Sequence, residues 1–263
     1  MNAVRQTAWF VIKDSLRSRW SVANTLLFAA LTVGLFYLQA DGAKVVVSLS
    51  SLSLSFVPLI SLIYTAMYYY NSRDFVELIL TQPIGRRSVF LGLLTGLLVS
   101  LVAGFLTGIA IPYAVFGSSD WTSVSALMAV MVIVFALSSI FAALALVAAV
   151  RCDDRGKGLA VILGVWLVAA VLYDSLVLAG ATALAEYPLE TPLLLASLAN
   201  PVDLARVLFL MHSDMAALMG YTGAVFMRFF DQPIGLVVAT VSLLAWFAAP
   251  VWYGLRCFNA KDF

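Results

Sequence analysis

Charge is what this chain has least of. Only 11% of its 263 residues are Asp, Glu, Lys or Arg, 63% are hydrophobic, and the mean hydropathy is +1.02. A soluble domain carries about 25% charged residues, so this chain cannot coat a water-exposed surface. That excludes a water-soluble enzyme, a nucleic-acid binder and a disordered scaffold. The formal net charge of +1 offers nothing to a polyanion. Two cysteines, Cys152 and Cys257, lie far apart and leave no disulfide framework or zinc spacing. One histidine cannot furnish a convincing nucleophile–imidazole set or a His-x-x-x-His pair. A phosphate-cradling Gly-x-x-x-x-Gly-Lys-Ser/Thr loop is missing as well; Gly156-Lys157-Gly158 lacks the upstream glycine and the hydroxyl. Among the apolar runs one acid occurs, Asp174, so no intramembrane carboxylate dyad exists. No catalytic residue, resident metal or directly bound cofactor is therefore expected, and any ATP would be hydrolysed by another polypeptide.

What is abundant is uncharged sequence. The runs are Ser21 to Ala40, Val45 to Ser72, Ser88 to Ser119, Trp121 to Val150, Gly158 to Ala185 (interrupted by Asp174) and Gln232 to Leu255. A bilayer-crossing helix needs about 20 apolar residues, and each run supplies one span. Backbone in lipid must satisfy its own hydrogen bonds, so runs this long predict helices rather than barrel strands. The expectation is a single all-α membrane domain over residues 1–263. Its six spans lie at about 21–40, 45–70, 89–113, 124–150, 159–183 and 234–255. The alternating Ser48–Ser55 stretch lies inside one of these runs and reads as helix.

Twelve of the fifteen Lys and Arg residues fall in the N-terminal segment, the second and fourth connections and the tail. Lys44, Arg206 and Arg228 lie on the other side. The positive-inside rule puts both termini in the cytoplasm. In residues 1–20, Trp9, Ile12, Leu16 and Trp20 recur at helical spacing while Lys13 and Arg17 lie elsewhere, which predicts an interfacial amphipathic helix. In the connection 71–88, Phe75, Leu78 and Ile79 share a face, Arg73, Asp74 and Glu77 lie off it, and Pro83 and Gly85 stop the helix. Such a helix suits docking to a soluble partner with Phe75 as anchor, or is a plain basic loop.

Residues 77–92, Glu-Leu-Ile-Leu-Thr-Gln-Pro-Ile-Gly-Arg-Arg-Ser-Val-Phe-Leu-Gly, resemble the segment joining spans two and three of ABC-2 type transporter permeases. Asn200-Pro-Val-Asp-Leu-Ala-Arg206 resembles the Asn-Pro-x-Asp stretch ahead of that family's last span. Gly158 to Trp166, running on to Tyr173-Asp174, is similar to the permeases of copper-processing ABC transporters that serve nitrous oxide reductase maturation. The stretch Asn71-Ser-Arg-Asp-Phe departs from the Gly-Glu-rich sequence of many relatives. The resemblance implies a cytoplasmic coupling helix carrying Phe75, Glu77, Leu78, Ile79, Pro83, Arg86 and Arg87. It implies a second ATPase contact at Asp153, Asp154 and Arg155. It further implies an inner-membrane location, a second permease copy, an ATPase dimer holding ATP and Mg, and a periplasmic copper-handling protein with a copper chaperone.

Three features lie in or beside the spans. Gly92, Gly96, Ser100, Gly104 and Gly108 place a small residue at every fourth position, a pattern that lets helices approach closely, within one chain or across a dimer. Asp174 reads either as a pathway residue or as an anchor bonded to a serine or tyrosine of a neighbouring span, with Tyr173 and Ser48–Ser55 as candidates. The segment 186–231 is expected outside the membrane, with Asn200 capping a helix that begins at Pro201. There Met211, Met215 and Met219 step by four beside His212. Thioether plus imidazole suits Cu(I); the ordinary reading of such a stripe is packing.

Overall fold

The computed structural model describes residues 3–39, 41–117, 120–183, 190–212 and 233–261, and all regular structure among them is helical. Helix α1 (Ala3–Arg17) ends at Ser18, whose extended backbone breaks the chain and whose Oγ accepts from the Trp20 amide at 3.3 Å. After it come α2 (Arg19–Leu38), α3 (Gly42–Asn71), the short α4 (Arg73–Leu80), α5 (Arg86–Phe116) and α6 (Trp121–Arg151). Helix α7 (Arg155–Leu167) continues through a π-helical turn (Val168–Leu172) into α8 (Tyr173–Ala183). Helices α9 (Glu190–Ala199) and α10 (Pro201–His212) precede the last, α11 (Pro233–Ala260). Among the described residues six helices are long and apolar enough to cross a bilayer: α2, α3, α5, α6, the α7–α8 unit and α11; the bent pair α9–α10 is long and apolar enough only when taken as one unit. Ser48–Ser55 is part of α3, as its uncharged flanks require.

Helices α5 and α6 form the centre, two-thirds of their most apolar stretch being buried, while α7–α8 lies almost wholly on the outside. Helix α3 packs along α6, while α1 and α2 pack along α5. Phe28 meets Phe105 edge-on at 4.8 Å, and Phe90 leans on Phe258 at 5.6 Å.

The small-residue stripe of α5 is the seam for α1 and α2, within one chain. A Cβ on Gly92 would meet Thr7, on Gly96 Val11, on Gly104 Asn24, and on Gly108 the carbonyl of Thr25. These contacts climb α1 and α2 in step with α5, so all three run the same way. Lipid tails give no hydrophobic drive to helix pairing, so close backbone approach is what stabilises the seam. Ser100 is fully buried within the stripe and donates to the Gly96 carbonyl at 3.0 Å.

This seam gives α1 an inward face that its apolar pattern did not show. Its inward face is Thr7, Val11 and Ser15, all buried, and the Ser15 hydroxyl bonds that of Tyr64. The apolar stripe legible in the sequence points the other way: Trp9, Leu16 and Trp20 are exposed. Helix α1 therefore presents aromatic surface outward while its small residues hold it to the bundle.

Candidate functional site

One end of the bundle gathers α4, the turn between α6 and α7, and the last turn of α11; it carries most of the basic residues. Arg73, in the first turn of α4, bonds Glu77 at 3.0 Å and reaches Asp153 at 3.2 Å. Asp153 also accepts from Lys261 at 2.7 Å, and Lys261 donates to the Val150 carbonyl at 2.6 Å. Arg86 donates to the carbonyls of Asn259 and Lys261 at 2.9 and 2.8 Å. Tyr70 donates to the Cys152 carbonyl at 2.9 Å, and Asp154 caps α7 by accepting from the Lys157 amide at 2.7 Å. The two connections singled out in the sequence are thus joined to each other and to the C-terminal turn. Arg73 and Lys261, which carry those joints, were not singled out by the motif.

The residues of the connection 71–88 fall into different environments. Val76 is fully buried, and Phe75 is half-buried with its ring stacked on Phe10 of α1 at 4.4 Å. Ile79 is half-buried against the core. Leu78 is 62% exposed, the one large apolar side chain of α4 left facing outward, and Asp74 one turn earlier is exposed beside it. Pro83 and Arg87 are exposed as well. Phe75, the anchor expected from sequence, therefore spends its ring on α1, and Leu78 takes the outward position. The three residues read as one face thus divide, and the fully buried side chain of α4 is Val76, which lay outside that set. Asp154 and Arg155 are exposed, and Arg155 points to the Met67 sulfur at 3.0 Å.

The hydrogen bond from Lys261, then the charges of Lys261 and Arg73, hold the Asp153 carboxyl below its ordinary range. A carboxylate with a lowered pKa stabilises the fold fully above its ordinary value near 4, and loses that contribution as pH falls through the lowered one. Asp153→Asn should therefore lower the thermal unfolding midpoint at neutral pH, and the gap from wild type should close below about pH 4. A thermal scan of both proteins between pH 3 and pH 7 reads this; a gap that persists in acid would remove Asp153 from the network.

A second constellation lies where α9 and α10 bend by 113° at Asn200-Pro201. Asn200, 3% exposed, caps α10 as its sequence suggests: Oδ1 accepts from the Val202 amide at 3.0 Å. Its Nδ2 donates to the Ala169 carbonyl inside the π-helical turn at 2.7 Å. Tyr173 donates to the Ala196 carbonyl, and the Leu198 carbonyl accepts from Ser242 at 3.1 Å and Trp246 at 3.2 Å. The break thus leaves these carbonyls satisfied, as a buried bend requires. Arg206 donates to Asp174 and lies 3.7 Å from Asp203. Asp174 is anchored, but by an arginine rather than by a serine or tyrosine. Tyr173 goes to a backbone carbonyl, and Ser48 bonds Gln39. The i, i+3 spacing of Asp203 and Arg206 was a usable signal that the segment holds its own ion pair.

The bent pair belongs to the segment expected outside the membrane. It packs on the bundle, with Val202, Leu204, Ala205, Val207 and Phe209 buried. Met211 is packed on the Leu204–Val207–Ala239 cluster, and His212 is exposed at the end of α10. Met215 and Met219 lie outside the described residues. Among the described residues no three His, Cys, Asp or Glu side chains come together as a metal site would need.

The chain is similar to known proteins over most of its length. Residues 73–263 match the family model described as "ABC-2 family transporter protein". The chain is 29% identical over 278 residues to the "Probable ABC transporter permease protein NosY" of Stutzerimonas stutzeri, covering 99% of each. It is 30% identical over 263 residues to the protein of the same name from Pseudomonas aeruginosa, covering 90% of this chain and 91% of that one.

Proposed function

The chain belongs to the ABC-2 family of transporter proteins and is a multi-pass permease subunit of an ABC transporter; from that premise we propose that α4 is its dock for a separate cytoplasmic ATPase. The permease is paired with a second copy, both termini face the cytoplasm across the inner membrane, and the ATPase dimer supplies ATP and Mg. The observation that carries the reading is the outward Leu78 on a helix tied by Arg73 and Asp153 to the second connection. A helix held in this way passes a push to α1, α6 and α11 together. ATP-driven closure of the partner then tilts spans two, three and five against the second copy. A ligand shifts such an equilibrium only by its difference in affinity between states, so dock strength and coupling need not change together.

Leu78 seats in a groove of the ATPase, and fully burying a leucine is worth roughly 1.5–3 kcal/mol. Leu78→Asp should therefore abolish copurification of the ATPase, and Leu78→Ala should weaken it by about 10-fold or more. Phe75→Ala should retain binding better than Leu78→Ala, because its ring lies on Phe10. Pull-down of the cognate ATPase with each variant tests this. Undiminished binding by both Leu78 variants would exclude α4 as the dock.

Orientation is checked separately by labelling single cysteines from outside intact cells. Glu190→Cys should label, and Ser72→Cys and Gly156→Cys should not. Labelling of Ser72→Cys from outside would invert the assignment.

The process served is copper-site maturation of nitrous oxide reductase, with a periplasmic copper-handling protein and a copper chaperone as further partners. Support comes from the resemblance over Gly158–Asp174 and Asn200–Arg206 and from the two NosY-named relatives. Copper content of the reductase in a permease-deletion strain carrying this chain decides it. An ABC-2 permease for an unrelated substrate would not restore loading.

A further inference from the structure

We infer that the π-helical turn Val168–Leu172 is a two-register hinge, held in its present register by the Asp174–Arg206 pair, and that α8 swivels when the pair opens. A π turn is an α-helix with one extra residue, and here the Tyr173 amide reaches back five residues to the Val168 carbonyl. The wide turn can move along the helix while both helix ends keep their sequence register. Each residue it passes is then turned by about 100° about the helix axis. If it moves past residues 173 to 178, the Tyr173 hydroxyl and the Asp174 carboxyl leave the bent pair together, and Leu178 turns with them.

Two independent sets of observations support this. The bonds that fix the present register all end on the bent pair: Asn200 on the Ala169 carbonyl, Tyr173 on the Ala196 carbonyl, and Arg206 on Asp174. The bent pair is itself pinned to α11 through the Leu198 carbonyl, so it acts as the fixed part. On the moving side, neither the wide turn nor α8 buries any residue. Rotation of α8 disturbs no packed core, and the wide turn's Val-Ala-Ala-Val-Leu sequence offers lipid an apolar surface in either register. The inference stands on the permease alone and needs no ATPase, so it fails or holds separately from the docking reading.

The test uses the full chain in nanodiscs, with Cys152 and Cys257 changed to Ser and spin labels at Met128 and Leu178. Both positions are exposed, at 59% and 67%. The wild-type pair should give one distance. Arg206→Gln should add a second population displaced by up to about 9 Å, the chord of a 100° swing at a helix radius of about 5–6 Å. Asp174→Ala with Arg206→Leu removes both charges and should show the same second population even if Arg206→Gln fails to fold. Deleting Ala170 from that double variant takes out the extra residue and should restore a single distance. An unchanged single distance in the double variant would overturn the hinge. So would a second population that survives the deletion, since it would not arise from a register shift.

Discussion

Gly96→Ala is expected to loosen the whole basic end of the bundle. A Cβ there would lie 2.6 Å from the Val11 Cβ and 2.9 Å from the Ala8 carbonyl oxygen. A flexible side chain could yield, but a backbone carbonyl on a helix cannot, so α1 must move off α5. Overpacking of this kind costs about 1–3 kcal/mol. It outweighs the roughly 0.5–1 kcal/mol that alanine gains over glycine inside a helix. Gly108→Ala should behave alike, since its Cβ would meet the Thr25 carbonyl at 2.7 Å. Gly164→Ala supplies the control: nothing lies within 4 Å of that position, and the substitution should be neutral or slightly stabilising. Thermal unfolding of the three variants in nanodiscs reads the order directly. Equal midpoints for Gly96→Ala and Gly164→Ala would show that the seam does not hold α1. Because Phe10 of α1 stacks on Phe75, loosening the seam should also free α4.

Arg206→Ala is expected to be the most damaging change in the far half of the bundle, and more damaging than Asp174→Ala. Arg206 serves two carboxylates, Asp174 directly and Asp203 at 3.7 Å. Removing it leaves both without their cation, and an unpaired aspartate within a span costs about 2.5–3.5 kcal/mol on the insertion scale. Removing Asp174 leaves Arg206 still beside Asp203, so the loss is smaller. The neutral combination, Asp174→Ala with Arg206→Ala, should recover part of the stability lost by Arg206→Ala alone. The double-mutant cycle isolates that coupling. Equal effects of the two single variants would mean that the charges are hydrated rather than paired.

Much of this was legible in the residues, for reasons that are local. Six uncharged runs of spanning length fix six helices, because backbone in lipid has no other partner for its polar groups. The short helix after α3 follows from its apolar face and from the Pro83–Gly85 stop, and the cap at Asn200 follows from an amide side chain placed before a proline. The every-fourth-residue stripe on α5 announced a close helix contact. Each of these signals is complete within one segment of chain.

What stayed hidden depends on pairs of segments far apart in sequence. Nothing in residues 86–116 says that their small face is for α1 and α2, and nothing in α1 says that Thr7, Val11 and Ser15, not its tryptophans, face the bundle. A hydrophobic pattern locates an inward face in water; in a membrane the aromatic side can equally be the one turned to lipid, so the pattern loses its sign. On α4 the pattern could not tell an apolar residue that meets the bundle from one that meets a partner, so Phe75 was the expected anchor until the position of α1 claimed its ring and left Leu78 outward. Asp174 announced that it needed a partner, since a lone carboxylate in lipid is costly. Only the fold of the bent pair, which brings Arg206 against it from 32 residues further along the chain, decided which one it has.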